Sequence, residues 1–242
     1  MEIIAAIDIK DGKCVRLRQG EENSSTVYGE DPVSMAMKWA GEGAKRVHVV
    51  DLDAAFGKSS GTISILTKIC SSVAAAVQFG GGLRSREALR ATFESGAAKA
   101  VLGTVAIENP SLLAELLREF GSERIIVAVD ARRGRIATRG WKRLSQTSVE
   151  AAVGDLRSAG VQEILYTDIG RDGMMSGPDL VTLNTLADTG LSVIASGGIA
   201  SLRDIELLLS LKSKPLSGAI VGKALYEGRL SLREALALAE VH

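Results

Sequence analysis

The chain is poor in the residues that most often hold metal ions or form cross-links. Its 242 residues include only two cysteines and two histidines. Cys14 and Cys70 have no metal-ligand spacing and are too few for a disulfide framework, so buried or incidental thiols are predicted. His48 lies inside an apolar run, where a hydrogen-bonded core histidine is the favoured interpretation, and His242 carries no signal. The sequence therefore predicts no metal and no cofactor.

A net charge and a long apolar run are also missing. Lys+Arg and Asp+Glu both total 29, which gives no general attraction to nucleic acid or to a membrane surface. No run approaches the length of a membrane span, and the N-terminus enters a predicted strand without a basic region or a cleavage site. We expect a cytoplasmic monomer with neither nucleic acid nor membrane as a partner.

What the chain does contain is a regular alternation of short apolar runs and amphipathic stretches. Apolar runs of this length between turn residues are typical of strands buried on both faces. The predicted strands are 3–9, 46–51, 75–79, 100–103, 125–130, 163–168, 192–196 and 219–221. The predicted helices are 32–42, 63–71, 85–95, 110–120, 148–159, 179–187, 202–211 and 232–239.

Eight strand–helix units without a Pro- or Gly-rich linker predict an α/β fold, a single (β/α)₈ TIM barrel over residues 1–242. An open doubly wound sheet is the alternative, but its G-x-G-x-x-G turn is missing. Four landmarks recur in the same order about half the chain later, which predicts two repeated half-barrels. These would cover approximately residues 1–121 and 122–242.

Glycine-flanked turns follow matching strands in each half. In a barrel such turns bring backbone N–H groups and helix N-termini to the catalytic face, where they bind phosphate. Two symmetric sets predict a small-molecule substrate with two phosphates. The residues of these predicted phosphate sites are Gly81, Gly82, Gly103 and Thr104 in the first half, with Gly197, Gly198, Gly222 and Lys223 in the second.

Four predicted strands have an aspartate as the last or next-to-last residue, at the position that carries catalytic residues in this fold. Asp8 and Asp130 are matched across the repeat, so one is expected to act as general base and the other as general acid. Asp168 is a third candidate. Asp51 is the one expected to be structural, because Asp53 and a loop follow it directly.

Two loops carry side chains suited to gripping a ligand. Trp141 lies in a polar, Arg-rich loop after the fifth predicted strand, where it is a good stacking platform for a flat heterocycle. Arg16 and Arg18 alternate with apolar residues after the first strand, a pattern that fits a small β-ribbon over the site. By contrast, Trp39 lies on a helix face and is assigned to the core.

These motifs together resemble one enzyme family over essentially the whole chain. They include Ala6-Ile7-Asp8-Ile9, Gly80-Gly81-Gly82-Leu83-Arg84-Ser85, Gly140-Trp141, Thr167-Asp168-Ile169-Gly170-Arg171-Asp172-Gly173 and Ser196-Gly197-Gly198-Ile199. The chain is similar to the phosphoribosylformimino-aminoimidazole-carboxamide ribotide isomerases of histidine biosynthesis. The resemblance implies an Amadori rearrangement of an aminoaldose to an aminoketose.

The resemblance also implies roles for individual residues. Asp8 would be the base that removes the proton from ribose C2′. Asp130 would be the acid that helps to open the ribose ring, with Asp168 in that role in some members. The residues implied to contact the substrate are Arg16, Arg139, Trp141 and Thr167.

One departure and three alternatives remain open at this point. Met174 follows Asp172-Gly173 where the family usually has threonine, which removes a hydroxyl near the site. The enzyme could also isomerise phosphoribosylanthranilate. A second interpretation is the cyclase subunit of imidazole glycerol phosphate synthase, which needs a glutaminase partner, although Gly140-Trp141 argues for the isomerase. A barrel that only binds a phosphorylated ligand is disfavoured because both Asp8 and Asp130 are present.

Overall fold

A computed structural model describes residues 1–58, 61–211 and 216–241. His242 lies outside the described residues. Eight parallel strands hydrogen-bond side by side and close into a barrel, because the first pairs with both the second and the last. These strands are β1 (Glu2–Lys10), β4 (Arg46–Asp51), β5 (Ala76–Gly80), β6 (Lys99–Leu102), β7 (Ile125–Arg132), β10 (Glu163–Asp168), β11 (Ser192–Ser196) and β12 (Gly218–Val221). The predicted (β/α)₈ barrel is confirmed.

Helices follow the strands and cover the outside of the barrel. All eight predicted helices form, as α1 (Pro32–Gly41), α3 (Thr62–Ser72), α4 (Arg86–Glu94), α6 (Pro110–Phe120), α7 (Val149–Ser158), α8 (Leu180–Ala187), α9 (Leu202–Leu209) and α11 (Leu232–Val241). Three short helices were not predicted, α2 (Leu52–Ala55), α5 (Thr104–Glu108) and α10 (Lys223–Tyr226). They span four or five residues, too few for a 3.6-residue apolar pattern to appear.

Capping side chains start several helices. Asp31 accepts hydrogen bonds from the backbone N–H groups of Val33 and Ser34 at the start of α1. Ser201 and Asp204 form a reciprocal capping box at α9. These partners satisfy amide groups that the first turn of a helix leaves unpaired. No helix among the described stretches is long and apolar enough to cross a bilayer.

Two strands extend beyond the barrel rim into antiparallel hairpins. β1 turns into β2 (Lys13–Arg16), which pairs with β3 (Thr26–Gly29), and β7 turns into β8 (Arg135–Thr138) and β9 (Arg143–Ser148). The β-ribbon predicted after the first strand is therefore present. Both turns, Asp11-Gly12 and Arg133-Gly134, have two successive residues with positive φ, as a two-residue type I′ hairpin requires.

The core has two layers. The larger lies between strands and helices, where alternate strand residues meet the apolar faces of the helices. The smaller fills the inside of the barrel with residues from six of its strands, Ile4, Ala6, Val101, Ile126, Leu165, Ile194 and Ile220. Charged side chains close the N-terminal end of the barrel, which leaves the C-terminal end open for a site. The division into half-barrels stays a prediction.

Candidate active site

A cavity opens at the C-terminal end of the barrel strands. Each of the eight strands, or the turn that follows it, contributes to its wall. The residues predicted from the sequence that border this cavity are Asp8, Asp130, Arg16, Trp141, Thr167, Gly81, Gly82, Gly103, Thr104, Gly197, Gly198, Gly222 and Lys223. Asp168 and Arg139 are the two predicted site residues that do not border it.

Asp8 is held in a largely buried ion pair on one side of the cavity. Arg16 reaches back from β2 and places Nη1 2.7 Å from Asp8 Oδ2. Burial raises the pKa of Asp8, and the nearby guanidinium opposes that rise. A carboxylate with a raised pKa is a better proton acceptor, while the guanidinium favours the ionised form that a base needs.

Arg16 is fixed from several sides and is only 9% exposed. Its Nη2 donates to the Ala6 carbonyl, and its guanidinium lies over the ring of Tyr226, 4.9 Å from the centroid. A Cβ at Gly222 would lie 2.8 Å from the guanidinium carbon, so a side chain there would displace it. Arg16 is therefore a rigid partner of Asp8 at the edge of the cavity.

Asp130 lies at the matching position on β7. The Trp141 side chain and the Thr167 hydroxyl both hydrogen-bond to its carboxylate, and Thr167 is its direct neighbour on β10. Burial raises the pKa of Asp130, and the two hydrogen bonds oppose that rise. Unlike Asp8, Asp130 has no cationic partner among the described residues, so the two carboxylates differ in environment. Such a difference is what separates acid from base roles.

A third carboxylate, Asp172, enters the cavity from the loop after β10. Burial raises the pKa of Asp172 to about 7, and the negative charges of Asp8 and Asp130 add to the rise. Arg16 acts in the opposite direction. Sequence reasoning included Asp172 in a motif but gave it no role, because it lies four residues after the end of its strand. Its place in the quoted Arg171-Asp172-Gly173 motif was the available signal.

The carboxylates of Asp168 and Asp51 instead bond to the turns that follow their strands. Asp168 accepts the Gly170 N–H at 2.9 Å and pairs with Arg171 at 3.1 Å. Asp51 accepts the Ala54 N–H at 2.9 Å and caps α2, as predicted from its position. Both aspartates end strands, but their carboxylates are used by the following turn and not by the cavity.

The glycine pairs are required by close backbone packing. Gly81 and Gly197 both have positive φ, and a Cβ on either would collide with the carbonyl of Asp51 or Asp168. Gly82 packs in the same way on Ala54, since a Cβ at this glycine would lie 2.5 Å from the Ala54 carbonyl oxygen. The two halves thus repeat the same contact, which explains glycine at these positions whether or not a phosphate binds there.

Gly103 and Gly222 also match each other. Their dihedral angles are φ −101°, ψ −109° and φ −116°, ψ −101°, and each precedes a short helix. Residues with side chains rarely adopt this conformation. Next to them, Thr104 Oγ1 accepts the Arg139 N–H at 2.7 Å, and Lys223 Nζ donates to the Gly173 carbonyl at 3.2 Å.

Trp141 covers the cavity from the loop that joins β8 and β9. A Cβ at Gly20, in the loop after β2, would overlap the indole ring, so this loop and the tryptophan are in direct contact. The same loop joins the turn after β10, because the Gln19 N–H donates to the Asp172 carbonyl at 3.0 Å. Three loops therefore meet above the two carboxylates.

Arg139 points away from the cavity. Its guanidinium makes two 3.2 Å hydrogen bonds to the carboxylate of Glu108 at the end of α5. The Thr138 hydroxyl donates to the same carboxylate at 3.0 Å. The sequence placed Arg139 in the correct loop, but the direction of its side chain depends on Glu108, which is remote in sequence.

Within the described ranges, no group of three or more His, Cys, Asp or Glu side chains is arranged to hold a metal ion.

A comparison with protein families matches residues 2–231 of the chain to the family described as histidine biosynthesis protein. The chain belongs to this family.

Curated relatives span almost the whole chain. The chain is 48% identical over 237 residues to a protein of Gloeobacter violaceus, with 98% of this chain and 92% of that protein covered. It is 46% identical to one of Halothermothrix orenii over 96% of this chain and 97% of the relative. Both relatives bear the name 1-(5-phosphoribosyl)-5-((5-phosphoribosylamino)methylideneamino) imidazole-4-carboxamide isomerase.

A more distant relative of the same name, from Lachnoclostridium phytofermentans, is 39% identical over 99% of this chain and 100% of its own length. For a member of the histidine biosynthesis protein family, the cavity at the C-terminal end of the barrel is the expected location of the active site. Besides Asp172, sequence reasoning gave no role at the site to two further side chains, one behind the cavity wall and one in it. Tyr226 supports Arg16 from α10, and His48 forms part of the cavity wall.

Proposed function

We propose that this protein is an aldose–ketose isomerase that performs an Amadori rearrangement on a substrate with two phosphoribosyl arms. The names of the relatives support the reaction and the substrate. The observation that carries the proposal is that Asp8 and Asp130 border one cavity and differ in their partners. One is paired with a guanidinium, and the other is hydrogen-bonded to neutral donors.

The chemistry can be divided between these groups. An acid donates a proton to the ribose ring oxygen as the C1′–O bond breaks, which leaves a C1′=N iminium. Asp8 then removes the proton from C2′, and the resulting enaminol becomes the aminoketose when C1′ gains a proton and the C2′ hydroxyl loses one. The sum is an isomerisation, so no oxidant or reductant is needed. We propose that it also needs no metal ion.

The acid is assigned on the arrangement of the three other carboxylates. Asp130 and Asp172 both border the cavity and both have raised pKa values, which favours the protonated form that an acid needs. Asp168 does not border the cavity, and its carboxylate is bonded to Arg171 and Gly170. We therefore propose Asp130 or Asp172 as the acid and place Asp168 among the residues that shape the loop.

The phosphate groups are proposed to bind at the two matched sets of turns. The first combines the Gly81-Gly82 turn with the turn before α5, and the second combines the Gly197-Gly198 turn with the turn before α10. Backbone N–H groups at such turns are suited to anions. Lys223 adds a positive charge at the second set.

The test is a steady-state assay on two substrates, the histidine-pathway aminoaldose and phosphoribosylanthranilate. Turnover of the aminoaldose that persists in EDTA and is abolished in Asp8→Asn supports the proposal. Turnover of both substrates would extend it to a dual-substrate enzyme. Turnover of neither, with release of an imidazole product only when a glutaminase or ammonia is supplied, would overturn it in favour of the cyclase.

A further inference from the structure

His48 lies in the wall of the cavity but is bonded on its other side. The side chain projects inward from β4, and its Nδ1 lies 3.0 Å from Nε2 of Gln78, its direct neighbour on β5. His48 is 7% exposed and Gln78 is fully buried. Two neutral polar groups buried together in this way must match donor to acceptor, since an unmatched pair leaves both unsatisfied.

The direction of that hydrogen bond follows from a third residue. Arg46 Nη1 lies 3.3 Å from Gln78 Oε1, and a guanidinium can only donate. The oxygen of the Gln78 amide must therefore face Arg46, so its NH₂ group faces His48. Because an NH₂ group donates, Nδ1 of His48 must accept, and its single ring proton must be on Nε2.

Arg46 cannot easily turn away, because it is anchored by charge. Its Nη2 lies 2.7 Å from Glu2, and Nη1 is 3.8 Å from Glu163, which also pairs with Lys99. These groups come from four different strands and close the N-terminal end of the barrel. The ion pairs of Arg46 at the N-terminal end of the barrel are thus connected, through the side-chain amide of Gln78, to His48 in the wall of the cavity at the opposite end.

On the cavity side, Nε2 of His48 has no hydrogen-bond partner in the part of the chain that the structure covers. We propose that Gln78 is a positioning residue, which fixes His48 as the tautomer protonated on Nε2 and so presents a neutral N–H donor to the bound ligand. Burial lowers the pKa of His48 to about 3, and the charge of Arg16 adds to this effect. The ring is therefore neutral at physiological pH.

A fixed neutral donor suits an oxygen that gains negative charge during a reaction. It can hydrogen-bond to a developing oxyanion without carrying a full positive charge into a cavity that already holds Arg16. That use of the donor rests on the proposed function, where the C2′ oxygen of an enaminol is such an atom. The tautomer itself does not depend on it.

The decisive experiment is NMR of the full chain labelled with ¹⁵N-histidine. Only two histidines are present, so a His242→Gln variant assigns both sets of signals. The expected wild-type spectrum has a protonated Nε2 and an unprotonated Nδ1 for His48, constant between pH 5 and 8 as a ring with a pKa of about 3 requires. A proton on Nδ1 would overturn the proposal without any variant.

Variants test the two successive hydrogen bonds, from Arg46 to Gln78 and from Gln78 to His48. Gln78→Glu keeps the acceptor for Arg46 but removes the donor, so the proton should move to Nδ1 or the ring should become doubly protonated. Gln78→Leu should give a mixture of tautomers. Arg46→Lys is the matched control, because lysine also only donates and should leave Nε2 protonated. An unchanged tautomer in both Gln78 variants would overturn the proposal.

Kinetics complete the test. If the spectrum of Gln78→Glu shows the proton on Nδ1, the loss of the Nε2–H donor should lower kcat/KM by about tenfold, the effect of about one hydrogen bond, while Arg46→Lys retains kcat/KM. His48→Gln, which can place an N–H near the same point, should retain more activity than His48→Leu. If the tautomer is as expected but no variant alters kcat/KM, the donor role is refuted. If the wild-type protein turns over no substrate, the proposed function fails while the NMR result stands.

Discussion

Replacing Arg16 by methionine should expose how strongly the fold depends on the buried pair with Asp8. The variant loses the 2.7 Å ion pair and the contact with the Tyr226 ring. The Ala6 carbonyl stays satisfied because the Tyr226 hydroxyl also donates to it, at 3.0 Å. The main cost is therefore a buried carboxylate without its partner. Breaking a fully buried pair costs about 3–5 kcal/mol of unfolding free energy, and a smaller loss is expected here because the Asp8 side chain is 17% exposed.

The pH dependence gives this prediction its sign. Burial raises the pKa of Asp8, and Arg16 opposes that rise, so the pKa goes further up in Arg16→Met. An acid whose pKa is raised by folding destabilises the fold above its unfolded value of about 3.9, and the penalty vanishes as the pH falls below that value. The cost of Arg16→Met should therefore be full at pH 7.5 and much smaller near pH 4.

The assay is urea unfolding followed by circular dichroism at both pH values. Arg18→Met, an exposed arginine of the same loop, is the control and should change stability by less than about 0.5 kcal/mol. Asp8→Asn/Arg16→Met removes both charges and should lose about 1–3 kcal/mol less than Arg16→Met alone. An equal loss for Arg16→Met at both pH values would refute the electrostatic account.

Three further results are expected from the site geometry. Because burial and neighbouring charges raise the pKa of Asp172 to about 7, the protonated form is present below pH 7. If it is the acid, kcat should fall above that pH, and Asp172→Asn should remove this limb from the profile. Trp141→Phe removes a hydrogen-bond donor to Asp130, which should raise the pKa of Asp130. The part of the pH profile of kcat that is set by Asp130 should therefore move to higher pH. Gly82→Ala should cost more unfolding free energy than Gly134→Ala by about 1–3 kcal/mol, because only Gly82 has backbone in the way.

Each of these three predictions has a control or an outcome that would contradict it. The Gly134 position also has positive φ but open space around it, so the two glycine variants share the backbone strain and differ in the collision. Equal losses would show that the collision is relieved by a small shift. A pH profile for Asp172→Asn that retains the limb would transfer the acid role to Asp130. An unchanged profile in Trp141→Phe would show that the indole does not influence Asp130.

Local sequence patterns predicted the structure correctly at several contacts between residues close in sequence. Asp51 caps the helix that follows it directly by accepting the N–H of the residue three positions later, and the Asp11-Gly12 turn directly joins two paired strands. Strand and helix positions were predicted for the same reason, since each apolar pattern is complete within its own segment. The short α2, α5 and α10 were missed because four or five residues contain no full pattern.

The sequence by itself determined the barrel, through eight apolar runs that must be buried on both faces, and determined which loops carry Asp8, Asp130 and the glycine turns. The tertiary structure decided which side chains those loops turn inward. Arg139 faces Glu108, and Asp168 is bonded to Arg171, whereas Asp172 and His48 reach the cavity. Arg139 and His48 have partners that are remote in sequence, Glu108 and Gln78, and these become neighbours only when the barrel closes. The Asp168–Arg171 pair is local, but only the folded loop after β10 shows that it takes Asp168 away from the cavity.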